Sequence, residues 1–339
     1  MNLFILSFVS AFGLAILFTK IIIYLATLFQ IIDKPDASRK LHQKSTPLLG
    51  GMAIFLALFT VIYFVRDGLL VGNLTPTHWV GVFAGSLIIT IGGYLDDRYQ
   101  LKPKLQIIFP MLACLIIIAS GVNIEKITNP FSSDYYHFSS ILSSLFILIW
   151  LMGMMYTTKL LDGLDGLVTS VVSVGALIIF LFTITTKYYQ PDIALASLIF
   201  LGACLGFLVF NWHPAKIFLG EGGSLLLGFI LGVLAIISGG KVAITLLIIG
   251  MPIIDTAWTI IRRLRIGKNP FAHADREHFH YRLSDSGLGV KKTVFIYALT
   301  SLIFGLIALF LQSKGKLFTL IILFTLIIFN IIYFSSKKR

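Results

Sequence analysis

Long apolar runs alternate with short polar segments along almost the whole chain. A helix needs about 17–25 apolar residues to cross the hydrocarbon part of a bilayer. Eleven runs approach this length: 3–29, 50–66, 79–95, 105–121, 140–158, 166–186, 191–210, 223–238, 241–262, 293–311 and 317–334. The pattern predicts an all-α fold, a polytopic membrane bundle of about eleven transmembrane helices, with residues 1–339 as a single integral membrane domain.

The composition is that of a membrane protein. Of 339 residues, 57% are hydrophobic and 12% are charged, whereas soluble domains average roughly 45–50% apolar and 25% charged residues. The chain has no Arg- or Lys-rich arm, so we expect membrane lipid and no nucleic acid as a partner. Cys114 and Cys204 lie inside apolar runs, which is typical of small core residues rather than of a disulfide or metal pair.

Basic residues predict the orientation of the helices, because cytoplasmic loops are enriched in Lys and Arg. The alternate loops that begin with 30–49 hold 20 of these residues, and the opposite loops hold six. The formal net charge of +12 therefore reflects membrane topology first. We expect a multi-pass protein of the cell membrane, with its N-terminus outside and its C-terminus in the cytoplasm.

Acidic residues carry separate information, since they contribute little to topology. Ten of the 15 fall in loops predicted to be cytoplasmic, most of them clustered with glycine, histidine or basic residues. Asp255 instead lies inside the ninth apolar run. A carboxylate at that depth is costly, which makes it a functional candidate; pairing with Arg262 or Arg263 is the structural alternative. The asymmetry predicts an active site at the cytoplasmic face.

Two adjacent carboxylates, Asp96 and Asp97, end the third run. Acids at a helix C-terminus oppose the helix dipole and repel each other, so the pair needs a compensating cation. Arg98, Lys104 or a metal ion could supply it. We therefore predict a catalytic role for Asp96 and Asp97, one acting as base or metal ligand while its neighbour holds the other charge state.

Two glycine-containing segments carry further carboxylates. Asp162 and Asp165 stand three residues apart in Asp-Gly-Leu-Asp-Gly, a spacing that puts both on one face if the segment opens the sixth helix. Glu221 lies in the Gly-Glu-Gly-Gly turn that precedes the eighth run. Such turns bind phosphate through backbone N–H groups, and the Glu221 carboxylate suits Mg²⁺.

The longest polar segment, 263–292, combines histidines with many arginines. Its histidines permit a zinc site, although the segment lacks cysteine and the usual ligand spacing. The number of arginines favours a pyrophosphate or sugar-phosphate ligand. A solvated basic loop is the plain alternative.

Seven motifs follow one another in a fixed order. They are Arg39-Lys40-x-His42 with Pro47 and Gly50-Gly51; Asp96-Asp97 with Leu101 and Lys104; Asp162-Gly163-Leu164-Asp165-Gly166; Asn211-x-x-Pro214-Ala215-Lys216-Ile217-Phe218-Leu219-Gly220-Glu221-x-Gly223-Ser224; Pro252 with Asp255; Arg262-Arg263; and Asp275-Arg276-x-His278-x-His280-Tyr281-Arg282-Leu283. The ordered set resembles the polyprenyl-phosphate N-acetylhexosamine-1-phosphate transferase superfamily. The branch resembled is the N-acetylglucosamine-1-phosphate transferases that start O-antigen, enterobacterial common antigen or wall teichoic acid.

The resemblance implies a phosphotransferase that uses Mg²⁺, with Mn²⁺ as an alternative. It would move N-acetylglucosamine-1-phosphate, or a related N-acetylhexosamine-1-phosphate, from a UDP-sugar to undecaprenyl phosphate and release UMP. It implies that Asp96 and Asp97 act on the lipid phosphate and that Asp165, Glu221 and Asp162 hold the metal. The substrate-binding residues implied are Lys44, Lys104, Lys159, Asn211, Gly220, Arg276, His278, His280 and Arg282.

Three positions depart from the family pattern. The metal-binding Asp of Phe-x-Gly-Asp-x-Gly-Ser is Glu221 here, which moves the ligand atom by the length of a methylene. The Asn three residues before the first Asp of Asp-Gly-x-Asp-Gly is Lys159, whose cation could hold a phosphate or compensate a changed charge balance. The last His of the final loop is Tyr281.

Two other functions stay open from the sequence. The muramoyl-pentapeptide transferases of the same superfamily carry a different histidine cluster and C-terminus. A transporter or lipid flippase keeps coupling carboxylates near the bilayer midplane, where only Asp255 is expected here. A homodimer is compatible with the sequence, which contains nothing that requires one.

Overall fold

The helices coincide with the predicted apolar runs. The computed structural model describes residues 2–33, 45–72, 74–129, 131, 134–185, 189–239, 242–265, 267 and 278–336. Within these residues the α-helices are α1 (Asn2–Leu28), α2 (Gly50–Phe64), α3 (Pro76–Tyr99), α4 (Pro103–Gln106), α5 (Ile108–Ala119), α6 (Ser140–Leu161), α7 (Leu167–Thr183), α8 (Pro191–Asn211), α9 (Gly220–Ile237), α10 (Val242–Ile248), α11 (Gly250–Arg265), α12 (Phe279–Leu283), α13 (Gly289–Phe310) and α14 (Ser313–Ser336). A 3-10 turn, Arg66–Leu69, follows α2, and a π-type turn, Ser284–Leu288, joins α12 to α13.

Two short hairpins connect helices. β1 (Ile32–Asp33) pairs antiparallel with β2 (Thr46–Pro47), with Ile32 opposite Pro47. β3 (Lys126–Thr128) pairs antiparallel with β4 (Tyr135–His137), with Lys126 opposite His137. The first hairpin brings both ends of the 30–49 loop to the start of α2.

Helix α9 forms the centre of the bundle and packs against α2, α3, α6 and α7. It is apolar on all sides, as a helix surrounded by other helices must be, and Phe229 on it is fully buried. At its first turn the backbone of Gly222 touches that of Gly93 on α3. Only glycine permits this approach, because a β-carbon on either residue would collide with the other helix.

The outer surface of the bundle is strongly apolar. Leu6 and Val9 on α1 and Phe329 on α14 are more than half exposed, with many similar residues. Soluble monomers rarely expose contiguous apolar surface of this extent. Together with the apolar helices, this surface confirms a multi-pass membrane protein.

The predicted number of eleven spans is not confirmed. In the described part of the chain, six helices are long and apolar enough to cross a membrane, or seven if the bent pair α10 and α11 counts as one span. Three further apolar helices are shorter: Gly50–Phe64, Pro103–Ala119 and Leu167–Thr183. The orientation with the N-terminus outside also stays a prediction.

The ninth predicted run is a broken helix rather than a straight span. α10 and α11 meet at an angle of 77°. Pro252 has no N–H to donate to the carbonyl of Ile248, so the helical ladder is interrupted where the two helices join. The break turns α11, which carries Asp255, away from the line of α10.

Candidate active site

A cavity of about 930 Å³ opens at one end of the bundle. Its walls come from the C-terminal ends of α3, α6 and α8, the N-terminal ends of α9 and α13, helix α12, and the β1–β2 hairpin with Leu48. These ends belong to the loops that the Lys and Arg pattern assigned to one side. The lining residues include Asp33, Thr46, Asp97, Lys159, Asp162, Gly163, Asp165, Asn211, His213, Lys216, Gly220, Glu221, Ser224 and Tyr281.

Asp97 lies against the first turn of α9. Its Oδ1 accepts a hydrogen bond of 3.1 Å from the backbone N–H of Glu221. Gly220 has φ of +74° and sits so close that a β-carbon there would collide with Asp97 Oδ2. The glycine therefore serves both the left-handed backbone and the space for the carboxylate, and the first turn of α9 supplies the N–H group that binds Asp97.

Asp96 faces elsewhere. Its Oδ1 accepts hydrogen bonds from the backbone N–H of Leu101 at 2.8 Å and from Nε2 of Gln106 at 3.0 Å. The side chain is buried and is not among the described residues that line the cavity. The two adjacent carboxylates thus have different surroundings: Asp97 faces the cavity, and Asp96 holds the α3–α4 connection.

Asp162 and Asp165 lie in a turn between helices, not within the first turn of a helix as the spacing suggested. Asp162 is the C-cap of α6, and α7 begins at Leu167 after Gly166, whose φ is +74°. Oδ2 of Asp165 contacts Nδ1 of His213 at 2.7 Å and accepts from the backbone N–H of Ala215 at 3.1 Å. The segment after α8 therefore fixes the orientation of Asp165.

The carboxyl group of Asp162 is open to the cavity on one side and enclosed by protein on the others. Burial in the wall, followed by repulsion from Glu221, Asp97 and Asp165, raises the pKa of Asp162 from 3.8 to about 8. The site therefore favours a bound cation.

Lys159 and Glu221 form an ion pair across the cavity. Nζ of Lys159, in the last turn of α6, lies 2.7 Å from Oε2 of Glu221, in the first turn of α9. Nζ also donates to Oε1 of Gln106 at 3.2 Å. Two of the three departures from the family pattern are thus in direct contact.

Asn211 closes the end of α8 and is buried. Its Oδ1 accepts a hydrogen bond from Oγ1 of Thr169 at 3.0 Å, and its Nδ2 donates to the carbonyl of Ile217 at 3.0 Å. The amide lines the cavity while it joins α7 to the segment that leads into α9.

Asp255, His278 and His280 form a buried cluster. Oδ1 of Asp255 accepts from the backbone N–H of Phe279 at 2.9 Å, and its Oδ2 lies 3.3 Å and 3.5 Å from Nδ1 of His278 and His280. Thr259 Oγ1 contacts His278 Nδ1 at 3.3 Å. The deep carboxylate on α11 therefore holds the start of α12.

This cluster lies behind the Asp162–Asp165 turn and outside the cavity lining. A β-carbon on Gly163 would collide with Nε2 of His280 and with the hydroxyl of Tyr281. Glycine at this position lets α12 pack directly on the turn. Tyr281 reaches the cavity, whereas His278 and His280 are not among its described lining residues.

The other predicted substrate-binding residues differ in position. Lys104 is exposed on α4, and neither it nor Arg282 on α12 is among the described residues that line the cavity. Lys44 and Arg276 lie outside the described residues. Lys159, Asn211 and Gly220 do line it.

Sequence reasoning missed His213 and Gln106. His213 orients Asp165, and Gln106 connects Asp96 to Lys159. The signal for His213 was available, since it lies beside Pro214 inside the motif that begins at Asn211. Gln106 follows Lys104 in an ordinary polar turn, and nothing in its spacing identifies it.

The carboxylates of the cavity suit a hard divalent cation such as Mg²⁺ or Mn²⁺, which prefers oxygen ligands. Asp162, Asp165 and Glu221 come from two segments that face each other across the cavity, and their side chains are partly exposed. Among the described residues, a closer group is Asp255, His278 and His280, whose ligand atoms all lie within 4.8 Å of one another. The three cavity acids are more widely spaced, so binding one ion requires their side chains to turn inward.

Comparison with known proteins agrees with this arrangement. A match to glycosyl transferase family 4 covers residues 79–239, which hold Asp97, Asp162, Asp165 and Glu221. The probable undecaprenyl-phosphate N-acetylglucosaminyl 1-phosphate transferase of Bacillus subtilis is 32% identical over 96% of this chain and 89% of its own length. This chain belongs to glycosyl transferase family 4.

Other members are similar over most of their length. The undecaprenyl-phosphate alpha-N-acetylglucosaminyl 1-phosphate transferase of Thermotoga maritima is 30% identical over 86% of this chain and 85% of its own length. The phospho-N-acetylmuramoyl-pentapeptide-transferase of Halalkalibacterium halodurans is 33% identical over 80% of this chain and 86% of its own length. The membership confirms the suspected superfamily and supports a polyprenyl-phosphate sugar-phosphate transferase.

Proposed function

We propose that this chain transfers N-acetylglucosamine-1-phosphate, or a related N-acetylhexosamine-1-phosphate, from a UDP-sugar to undecaprenyl phosphate. The reaction releases UMP and is the first membrane step of cell-surface polysaccharide synthesis. The observation that carries the proposal is the meeting of Asp97, Asp162, Asp165 and Glu221 with Lys159 in one cavity at the ends of membrane helices. Such a cavity can take one water-soluble and one lipid substrate.

The proposed reaction is a phosphoryl transfer. An oxygen of undecaprenyl phosphate attacks the sugar-bearing phosphorus of the donor, a new P–O bond forms, and the bond to the bridging oxygen breaks so that UMP leaves. Catalysis of this kind consists mainly of positioning and charge neutralisation. A bound Mg²⁺ or Mn²⁺ would supply charge neutralisation on the diphosphate.

The protein's own groups divide this work. Asp97 orients the lipid phosphate or takes its proton, since its carboxylate faces the cavity at the start of α9. Asp165, Glu221 and Asp162 hold the metal, and Asn211 with the Gly220 turn faces the nucleotide. Asp96 acts by holding Gln106 in place.

The same proposal covers the other residues that the resemblance implied for the pyrophosphate and sugar. Arg276 and Arg282 bind these groups directly. The buried His278 and His280 act indirectly, by fixing α12 through Asp255. The site faces the cytoplasm, where UDP-sugars are found, and residues 1–339 act as one domain. The grouped helix ends and the Lys and Arg asymmetry support this orientation.

The test is UMP release by the purified protein in detergent, with undecaprenyl phosphate, Mg²⁺ and UDP-N-acetylglucosamine. We expect release that needs both lipid and metal, and a loss of about 100-fold or more in Asp97→Asn. Asp67→Asn is the matched control, because Asp67 is fully solvated in the turn after α2. If UMP were released from UDP-N-acetylmuramoyl-pentapeptide and not from UDP-N-acetylglucosamine, the chain would have the donor specificity of the muramoyl-pentapeptide transferases. If no UDP-sugar led to UMP release, the transferase proposal would be rejected, and a transporter or lipid flippase would be the remaining hypothesis.

A further inference from the structure

Two residues that depart from the family pattern contact each other inside the candidate active site. Lys159 Nζ lies 2.7 Å from Glu221 Oε2. The two residues come from opposite ends of different helices, at the end of α6 and the start of α9. The opposite charges of the two side chains compensate each other at this contact.

The ammonium group is held in this place from its other side. Gln106 Nε2 donates to Asp96 Oδ1 at 3.0 Å and to the carbonyl of Leu101 at 3.1 Å. These bonds turn Oε1 of Gln106 toward Lys159, which donates to it at 3.2 Å. The Lys159 side chain is 20% exposed, so its cation is positioned by the fold rather than free in solvent.

The contact changes what Glu221 offers to a metal. Glu221 Oε2 is shielded from solvent and has no aligned hydrogen bond, although the ammonium lies against it. An atom covered in this way must lose its contact with Lys159 before it can bind a divalent ion. The positive charge also repels such an ion from the neighbouring Asp162 and Asp165.

We infer that Lys159 acts as a resident cation of the candidate active site. Its ammonium group covers the carboxylate of Glu221 and weakens the binding of a divalent metal by that carboxylate. The inference deepens the proposed function, because it concerns the metal requirement of the same site. Lys159 acts through Glu221 and is a positioning residue. The pair works as a unit: replacing Lys159 alone leaves Glu221 uncovered and strengthens metal binding.

The experiment is direct titration with Mn²⁺, read from the electron paramagnetic resonance signal of free Mn²⁺, on the full chain in detergent without sugar nucleotide or lipid. We expect Lys159→Asn to tighten Mn²⁺ binding about tenfold, the effect of removing one close charge. Lys159→Arg keeps the cation and should bind Mn²⁺ like the wild type. In a Glu221→Gln background, Lys159→Asn should change the affinity less than about threefold, because the coupled partner is gone.

Lys216→Asn is the matched control, since Lys216 lines the same cavity but is exposed. We expect it to change Mn²⁺ affinity less than about twofold. Melting temperatures are measured first, and Lys159→Gln replaces Lys159→Asn if the latter does not fold. An unchanged affinity in the neutral Lys159 variant, or an equal gain in Lys216→Asn, would overturn the inference.

The inference and the proposed function fail separately. If the wild type releases UMP but the neutral Lys159 variant binds Mn²⁺ with unchanged affinity, only the inference about Lys159 is rejected. If the neutral variant binds Mn²⁺ more tightly but the wild type turns over no UDP-sugar, the transferase proposal is rejected and the coupling of Lys159 to Glu221 stands.

Discussion

Asp162 has a carboxyl group open to the cavity and three acidic neighbours, Glu221, Asp97 and Asp165. Its pKa of about 8 exceeds the ordinary 3.8, so the folded protein binds a proton that the unfolded chain releases between these values. The contribution of Asp162 to stability is therefore complete below pH 3.8 and is lost as the pH rises to about 8.

This shift predicts a pH-dependent melting temperature for the metal-free protein. In EDTA, the melting temperature in detergent should fall between pH 6 and pH 8.5, and Asp162→Asn should make it flatter because the substituted amide does not ionise. Differential scanning fluorimetry across this range measures the slope. Asp67→Asn, which removes a solvated carboxylate, should keep the wild-type slope. An equal slope in Asp162→Asn would refute the assignment.

His213 predicts a second effect at the residue scale, because its Nδ1 lies 2.7 Å from Oδ2 of Asp165. Groups that orient a metal ligand typically contribute 10–100-fold to metal affinity or activity. His213→Ala should therefore lower kcat/KM for UMP release about 10–100-fold. His137→Ala is the control, since His137 is exposed in β4. A loss shared by both variants would point to a general effect on the fold.

At the scale of elements, the packing of α9 depends on glycine residues, whose backbones touch those of neighbouring helices. A β-carbon on Gly222 would lie 2.9 Å from the Cα of Gly93, and Gly51 on α2 makes a similar contact with Gly223. Overpacking at such a contact typically costs about 1–3 kcal/mol. Gly222→Ala should therefore lower the melting temperature clearly. Gly153→Ala, on the open face of α6 with nothing within 4 Å, should leave it unchanged or slightly raise it.

The elements were more predictable than the directions of their side chains. Apolar length identified the helices, and Gly163 with Gly166 explains why the Asp162 segment is a turn, since the φ of +74° at Gly166 interrupts the helix. Successive helical residues point about 100° apart, so only one of Asp96 and Asp97 can face the cavity, and the sequence does not say which. Its depth made Asp255 a functional candidate, but the sequence did not indicate its partners, which start 23 residues further along the chain at His278.

At the scale of the whole molecule, the cavity lies at one end of the bundle and the β3–β4 hairpin lies at the other. The topology predicts that these ends face opposite sides of the membrane. Cys114 and Cys204 are buried, which gives a low background for cysteine labelling. Tyr136→Cys should react with an impermeant maleimide in intact cells, and Lys102→Cys only after permeabilisation. The reverse pattern would invert the orientation.

The glycine crossing at the start of α9 also has a genetic consequence. Every glycine codon becomes an alanine codon by one nucleotide change, so alanine alleles of Gly93 and Gly222 each need a single substitution. Such alleles leave every cavity side chain in place and weaken only the contact between two helices. They should be temperature-sensitive, with surface polymer made in the cold and lost in the warm, whereas alleles of Asp97 should be null at every temperature.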